Sequence, residues 1–295
     1  MKIGFIGVGN MGRPMALNLL KKAGSLYIYD VSGQAVEAME KAGAKYLPLS
    51  EMAEQCQLIF MMLPNGKICR DTLFGQDGLA AQRGALRLVV DMSSVTAADA
   101  KACAAGLAKQ QIGFLDAPVS GGMAKAQDGT LAFMVGGSED DLQLARPYLE
   151  AMGASVERIG GVGSGCVTKL ANQVIVSALL GAVGEAFTLA AKAGADLAKV
   201  YDAIKDGLAQ NRLMDSYIPK ILKRDFQPGG VLALNLKDVN NILATAEELG
   251  AAAPMTSLMR EIMTSEELKN CQTEDHRAVV KYFEQKSGVT IQTKA

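Results

Sequence analysis

Lys2-Ile-Gly-Phe-Ile-Gly-Val-Gly-Asn-Met-Gly12 is the stretch that decides the fold. An apolar run that reads as a short strand leads into Gly7, Gly9 and Gly12 at the spacing G-x-G-x-x-G, and an amphipathic stretch, 11–22, opens as the glycines end. Each glycine answers a physical need. Gly7 permits a tight turn, Gly9 lets bare backbone approach a pyrophosphate, and Gly12 lets the helix pack closely on the strand. A pyrophosphate placed there meets the positive end of a helix whose first amides lack partners. Glycine turns alone are common, and context makes this one specific: Gly24 stops the helix, a second strand occupies 25–29, and Asp30 closes it with a carboxylate. The reading is a dinucleotide site formed by Gly7, Val8, Gly9, Asn10, Met11, Gly12 and Asp30. A carboxylate at that strand end accepts hydrogen bonds from ribose hydroxyls and repels a 2′-phosphate. No arginine follows it, only Val31, Ser32 and Gly33, so NAD(H) is expected over NADP(H).

The chain has 295 residues, enough for about two domains. Net charge is −1 and no basic patch or charge block stands out, so neither nucleic acid nor a membrane is expected as a partner. Cys56, Cys69, Cys103, Cys166 and Cys271 form no C-x-x-C pair, which fits reduced thiols in a cytoplasmic protein. His276 is the single histidine, and one histidine in a helical tail supplies neither a zinc site nor a Ser-His-Asp relay. No metal is expected, and His276 reads as a solvated or capping residue. The apolar run at the N-terminus is short and broken by the glycines, unlike a signal sequence. The longest uncharged stretch, 170–184, falls short of the roughly 18 residues that span a bilayer and reads as a helix buried on most sides.

Up to about residue 160 the pattern alternates. The runs 58–63, 86–91, 113–116, 131–135 and 155–159 are strand-like, with helical periodicity between them. Strands alternating with helices imply crossover connections and a mostly parallel sheet. After Gly160-Gly161-Val162-Gly163-Ser164-Gly165 the strand signals vanish, and the chain reads as helices as far as about residue 284. The expected fold is therefore α/β: an N-terminal Rossmann-type doubly wound sheet, residues 1–162, joined by a long helix to an all-α domain, 163–295, for substrate and oligomerisation. That first helix, about 166–193, carries too little charge to lie on water all round, so it is expected to be buried between domains or subunits, in a homodimer or homotetramer.

Four motifs, in order and at matching spacing over essentially the whole chain, resemble the β-hydroxyacid dehydrogenases. They are the glycine turn; Asp116-Ala-Pro-Val-Ser-Gly-Gly122; Gly163-Ser-Gly165 followed by Lys169 and Asn172; and Leu236-Lys-Asp-Val239. The resemblance implies hydride transfer between a nicotinamide cofactor and a small carboxylic acid bearing a β-hydroxyl or β-carbonyl group. It also implies that Leu63, Pro64, Asn65, Ser94 and Lys237 lie against the cofactor, and that Ser120, Gly121 and Gly122 hold the substrate carboxylate. The last three have a physical reading too, since bare amides beside one hydroxyl form an anion cradle. For Lys237 the plainer alternative is a helix-face lysine paired with Asp238.

Lys169 and Asn172 are three apart on a helix and project from one face, just after the glycine joint where a cleft between domains would lie. Hydride addition to a carbonyl leaves negative charge on oxygen, which an ammonium within reach can stabilise and protonate. Lys169 is the expected proton donor in reduction and, when neutral, the base in oxidation. Asn172 would hold the substrate hydroxyl or the lysine. Where the family carries a phenylalanine against the nicotinamide this chain has Gly230, and Val231, Ala233 and Asn235 replace polar or charged residues, so the substrate end of the pocket is altered. The stretches 167–176 and 200–209 look closest to members acting on tartronate semialdehyde. Two other readings stay open: 3-hydroxyisobutyrate or another short semialdehyde as substrate, and a dinucleotide-binding sensor that kept the fold and lost turnover.

Overall fold

In the computed structural model, which describes residues 1–81 and 84–293, the chain divides into two compact units, Met1–Leu170 and Ala171–Ala295. The first unit carries β1 (Ile3–Ile6), α1 (Gly12–Ala23), β2 (Tyr27–Tyr29), α2 (Gly33–Lys41), β3 (Lys45–Tyr46), α3 (Leu49–Gln55), β4 (Leu58–Met61) and α4 (Gly66–Phe74). It continues through β5 (Leu88–Asp91), α5 (Ala97–Ala108), β6 (Gly113–Asp116), β7 (Val119–Ser120), α6 (Gly122–Asp128), β8 (Leu131–Gly136), α7 (Glu139–Leu149) and β9 (Gly153–Gly160).

Among the described residues nine strands form one sheet in the order β3-β2-β1-β4-β5-β6-β8-β7, with β9 beside β8. β1 to β6 run parallel, and β8 is antiparallel to both β6 and β7, which are two halves of one extended stretch broken at Ala117-Pro118. The order reverses between β1 and β4, and there the crevice beyond the strand ends receives ligands in such sheets. Helices cover both faces, so the central strands are apolar on both sides and alternate residues feed two cores. Leu58 and Phe60 of β4 join Ile3, Phe5, Leu88 and Val90 on one face, whereas Ile59 and Met61 join Ile6 and Val89 on the other. The fold is the doubly wound α/β unit read from the sequence. β3 and β7 went unread because two residues are too few to show an alternation.

α8 (Ser164–Lys192) begins in the first unit and runs into the second, where α9 (Leu197–Ile204), α10 (Arg212–Leu222), α11 (Leu232–Leu249), α12 (Pro254–Met263) and α13 (Val280–Ser287) follow. Met214, Ile218, Ile221 and Leu222 recur at helical spacing, as do Met259, Ile262 and Met263, and each set enters one of two small cores. By length and composition α8 could cross a membrane, because an 18-residue window tolerates the charges that end the uncharged run. In the fold it instead contributes Val183 and Phe187 to a core. It is not buried on most sides in a single chain: Val167, Ile175 and Leu189 are exposed.

Candidate active site

The glycine turn has the geometry its sequence demands. Gly7 adopts φ +89°, and a Cβ there would lie 2.3 Å from the Met62 carbonyl oxygen. A Cβ on Gly12 would lie 1.8 Å from the Gly7 carbonyl oxygen, so only glycine lets α1 start against the strand. Gly9 is exposed and nothing would meet its Cβ within 4 Å, which leaves bare backbone facing a cavity of about 480 Å3. Val8, Gly9, Asn10, Arg13, Asp30 and Ser32 line that cavity. Asp30 is tied into the turn: Oδ2 accepts the Val8 amide and Oδ1 the Ser32 amide, both at 2.8 Å. Each carboxylate oxygen keeps a further lone pair for a ribose hydroxyl. An open backbone turn at a helix start, a cavity beside it and an acceptor at its far wall fit a nicotinamide dinucleotide.

The next strand ends bring the remaining first-unit residues to the same carboxyl edge. Leu63 and Pro64 follow β4, and Asn65 caps α4 by accepting the Ile68 amide at 3.0 Å. Ser93 Oγ accepts the Leu63 amide at 2.8 Å, while the Ser93 amide donates to Asp91 Oδ1 at 2.9 Å. The Leu63–Asn65 segment and the loop carrying the half-buried Ser94 are thus laced together. Burial pushes the carboxyl of Asp91 upward. Ser120 ends β7, and Gly121 and Gly122 adopt φ +141° and +71° as α6 opens. Asn18 on α1 donates to the Ala126 and Gln127 carbonyls of α6, and Met123 and Gln127 also line the dinucleotide cavity. The Ser120–Gly122 turn therefore feeds directly into the cavity wall.

Lys169 lies on α8 within the first unit, and α8 starts at this same edge, held by Asp116. In the second unit, Asn172 and Lys237 are linked through residues the sequence reading passed over. Asn172 Nδ2 donates to Gln173 Oε1 at 2.9 Å, Gln173 Nε2 donates to Asp238 Oδ2 at 2.7 Å, and Asp238 Oδ1 meets Lys237 Nζ at 3.1 Å. The Lys237–Asp238 pair anticipated as an alternative is present, and Gln173 ties it to the face of α8 that carries Asn172. Asp91, Ser93 and Asp116 were also missed as supports, although Asp116 opens one quoted motif and Asp91 and Ser93 closely precede Ser94. The signal that could have found them is a carboxylate at the end of an apolar strand, where the following turn offers amides.

Asn235 is buried, with Nδ2 3.5 Å from Ser177 Oγ in the second unit. One further expectation changes. His276 is neither solvated nor a cap: its Nε2 lies 2.6 Å from the hydroxyl of the half-buried Tyr217, whose pKa desolvation pushes up to about 12. The adjacent turn is fixed by Asp275 Oδ2, which accepts the Gly229 and Gly230 amides at 2.8 and 3.2 Å.

Comparison with known proteins gives this arrangement its class. A family model described as the NAD binding domain of 6-phosphogluconate dehydrogenase matches residues 2–161, and one described as NAD-binding of NADP-dependent 3-hydroxyisobutyrate dehydrogenase matches 163–283. The chain belongs to the β-hydroxyacid dehydrogenase family. It is an oxidoreductase that uses a nicotinamide dinucleotide. A 2-hydroxy-3-oxopropionate reductase of Escherichia coli (strain K12) is 35% identical, covering 96% of this chain and 97% of that protein. A 3-hydroxyisobutyrate dehydrogenase of Pseudomonas aeruginosa is 33% identical over 89% of this chain and 91% of its own length. The solved structure of Mycobacterium tuberculosis 3-hydroxyisobutyrate dehydrogenase with L-serine superposes with a TM-score of 0.86 at 31% identity, covering 95% of this chain and 97% of that one.

Proposed function

We propose that the protein reduces tartronate semialdehyde (2-hydroxy-3-oxopropionate) with NADH to glycerate, with Lys169 as the proton donor. The observation that carries the reading is the start of α8 at the carboxyl edge of the dinucleotide sheet, which puts Lys169 one turn beyond that edge. The likeness to a 2-hydroxy-3-oxopropionate reductase along nearly the full chain supports the substrate.

When bound, the dinucleotide supplies the hydride. Ser120 and the amides of Gly121 and Gly122 hold the substrate carboxylate, and Asn172 holds its hydroxyl. The Lys169 ammonium stabilises the charge that develops on the carbonyl oxygen and passes its proton there, so aldehyde, hydride and proton together give the alcohol. In oxidation the neutral amine takes the proton back. Gly7 to Gly12, Leu63, Pro64, Asn65, Ser94 and Lys237 are assigned to the cofactor. Asp30 favours NADH over NADPH because a 2′-phosphate would add negative charge beside a carboxylate already fixed in place by two amides.

The five cysteines are free and buried, which supports a reducing compartment, the cytoplasm. The exposed Ile175, Leu189, Leu249, Met255 and Leu258 support a homo-oligomer. The substrate is tested by NADH oxidation with tartronate, methylmalonate and succinate semialdehydes at equal concentration. Preference for the first upholds the named activity; preference for another replaces the substrate and leaves the chemistry of Lys169 standing.

A further inference from the structure

We propose that Asp116, seated between Gly136 and Gly165, is a positioning residue for Lys169, clamping the first turn of α8 to the end of β6. The proposal rests on the reading of Lys169 as the proton donor. Asp116 is the last residue of β6 and is 1% exposed. Both of its oxygens are used at the joint: Oδ1 accepts the Gly163 amide and Oδ2 the Cys166 amide, each at 2.8 Å. A helix cannot satisfy its own first amides, so a carboxylate supplied by a neighbouring strand both caps α8 and fixes where it starts. Cys166 and Lys169 are three apart, so the clamped turn lies directly beneath the lysine.

The two glycines make the seat close-fitting. A Cβ on Gly165 would lie 2.3 Å from the Met134 carbonyl oxygen and 2.6 Å from that of Asp116. A Cβ on Gly136 would lie 2.4 Å from Asp116 Oδ1 and 2.8 Å from the Gly161 carbonyl oxygen. Gly161, at the same joint, would meet nothing within 4 Å, so a methyl group there leaves the seat undisturbed. A carboxylate this buried is costly unless its oxygens are bonded, and here burial pushes its pKa up while the Gly163 and Cys166 amides oppose the shift. Alternative means of capping α8 exist at lower cost, such as a serine or threonine in the joint. What Asp116 adds is a rigid bond from the sheet edge to the turn beneath Lys169. Proton transfer needs the donor within about 2.6–3.2 Å of the oxygen it protonates.

The test compares Asp116→Asn, Gly165→Ala, Gly161→Ala and Lys169→Ala by NADH titration and by steady-state reduction of tartronate semialdehyde. Asp116→Asn and Gly165→Ala are expected to lose about 10²-fold in kcat, the cost of a displacement on the order of 1 Å, with the NADH dissociation constant unchanged. Gly161→Ala should match the unmodified protein. A role in folding alone would lower the melting temperature and leave kcat of the folded protein intact, and that result overturns the proposal. Should Asp116→Asn fail to bind NADH, Gly165→Ala decides, because it keeps the carboxylate and lifts the helix; loss of NADH binding in both also overturns it. If Lys169→Ala keeps its turnover, the reading of the proton donor fails whatever Asp116 does. If Lys169→Ala loses turnover and Asp116→Asn does not, only the positioning role fails.

Discussion

The two units present the residues assigned to cofactor and substrate in different materials. In Met1–Leu170 the assigned groups are largely backbone, the amides of the glycine turn, of Gly121 and Gly122, and of the segments that Asp30, Ser93 and Asp116 hold in place, with Lys169 the principal side chain among them. In Ala171–Ala295 it falls to side chains, a chain of contacts from Asn172 through Gln173 and Asp238 to Lys237. A backbone site depends on shape, so a single methyl group can abolish it. A side-chain site sits on helices that form without it, so substitutions there tune binding and stability by increments.

That contrast can be broken most sharply at Gly12. Gly12→Ala brings a methyl to within 1.8 Å of the Gly7 carbonyl oxygen, and the expected result is loss of measurable NADH binding and turnover. Near-normal affinity in a fluorescence titration would show that backbone shape does not build this end. At Asp30 the effect is smaller and selective. Asp30→Asn removes the repulsion toward a 2′-phosphate and should raise the ratio of NADPH to NADH efficiency by about tenfold, equivalent to about 1.4 kcal/mol; an unchanged ratio removes Asp30 from cofactor choice.

In the second unit, Gln173→Leu removes the Gln173 amide donor from Asp238 Oδ2, in a buried carboxylate. The expected cost is about 1–3 kcal/mol of stability and a raised KM, with NADH affinity retained in part through Lys237. Thermal unfolding and steady-state kinetics check this together. Collapse of cofactor binding would make the second unit as shape-dependent as the first.

The smallest effect concerns the buried thiols. Burial pushes Cys56 up to about 11 and Cys103 up to about 12. Acids whose pKa is raised in the folded state add stability that is whole below their unfolded pKa and is lost as pH rises toward the folded value. Stability should therefore hold through pH 8 and fall between about pH 9 and 12. At pH 8 the native thiols should resist an aromatic disulfide reagent, whereas rapid labelling would place one of them at an open surface.

The same contrast explains what could be read from the sequence. The glycine turn, Asp30 and the alternation of strands were legible because they are local: spacing along a few residues fixes a turn and a helix start. The long helix that follows Gly163 was legible for the same reason. Asp116 stood in a quoted motif without a role, since its partners Gly163 and Cys166 lie far along the chain and only the sheet brings them near. Gln173 looked like any polar helix residue until α11 placed Asp238 against it. His276 was misjudged because Tyr217, its partner, is remote in sequence. The exposed apolar face of α8 could not be separated from its buried one, because both are equally apolar and periodicity marks only a boundary between unlike faces.

The most direct test of the central claim is a single-turnover measurement of NADH oxidation by Lys169→Ala with tartronate semialdehyde. The rate should fall by about 10³-fold, within the usual range for loss of a positioned acid, while NADH binds as before. A rate close to that of the unmodified protein would contradict it and assign the proton to another group.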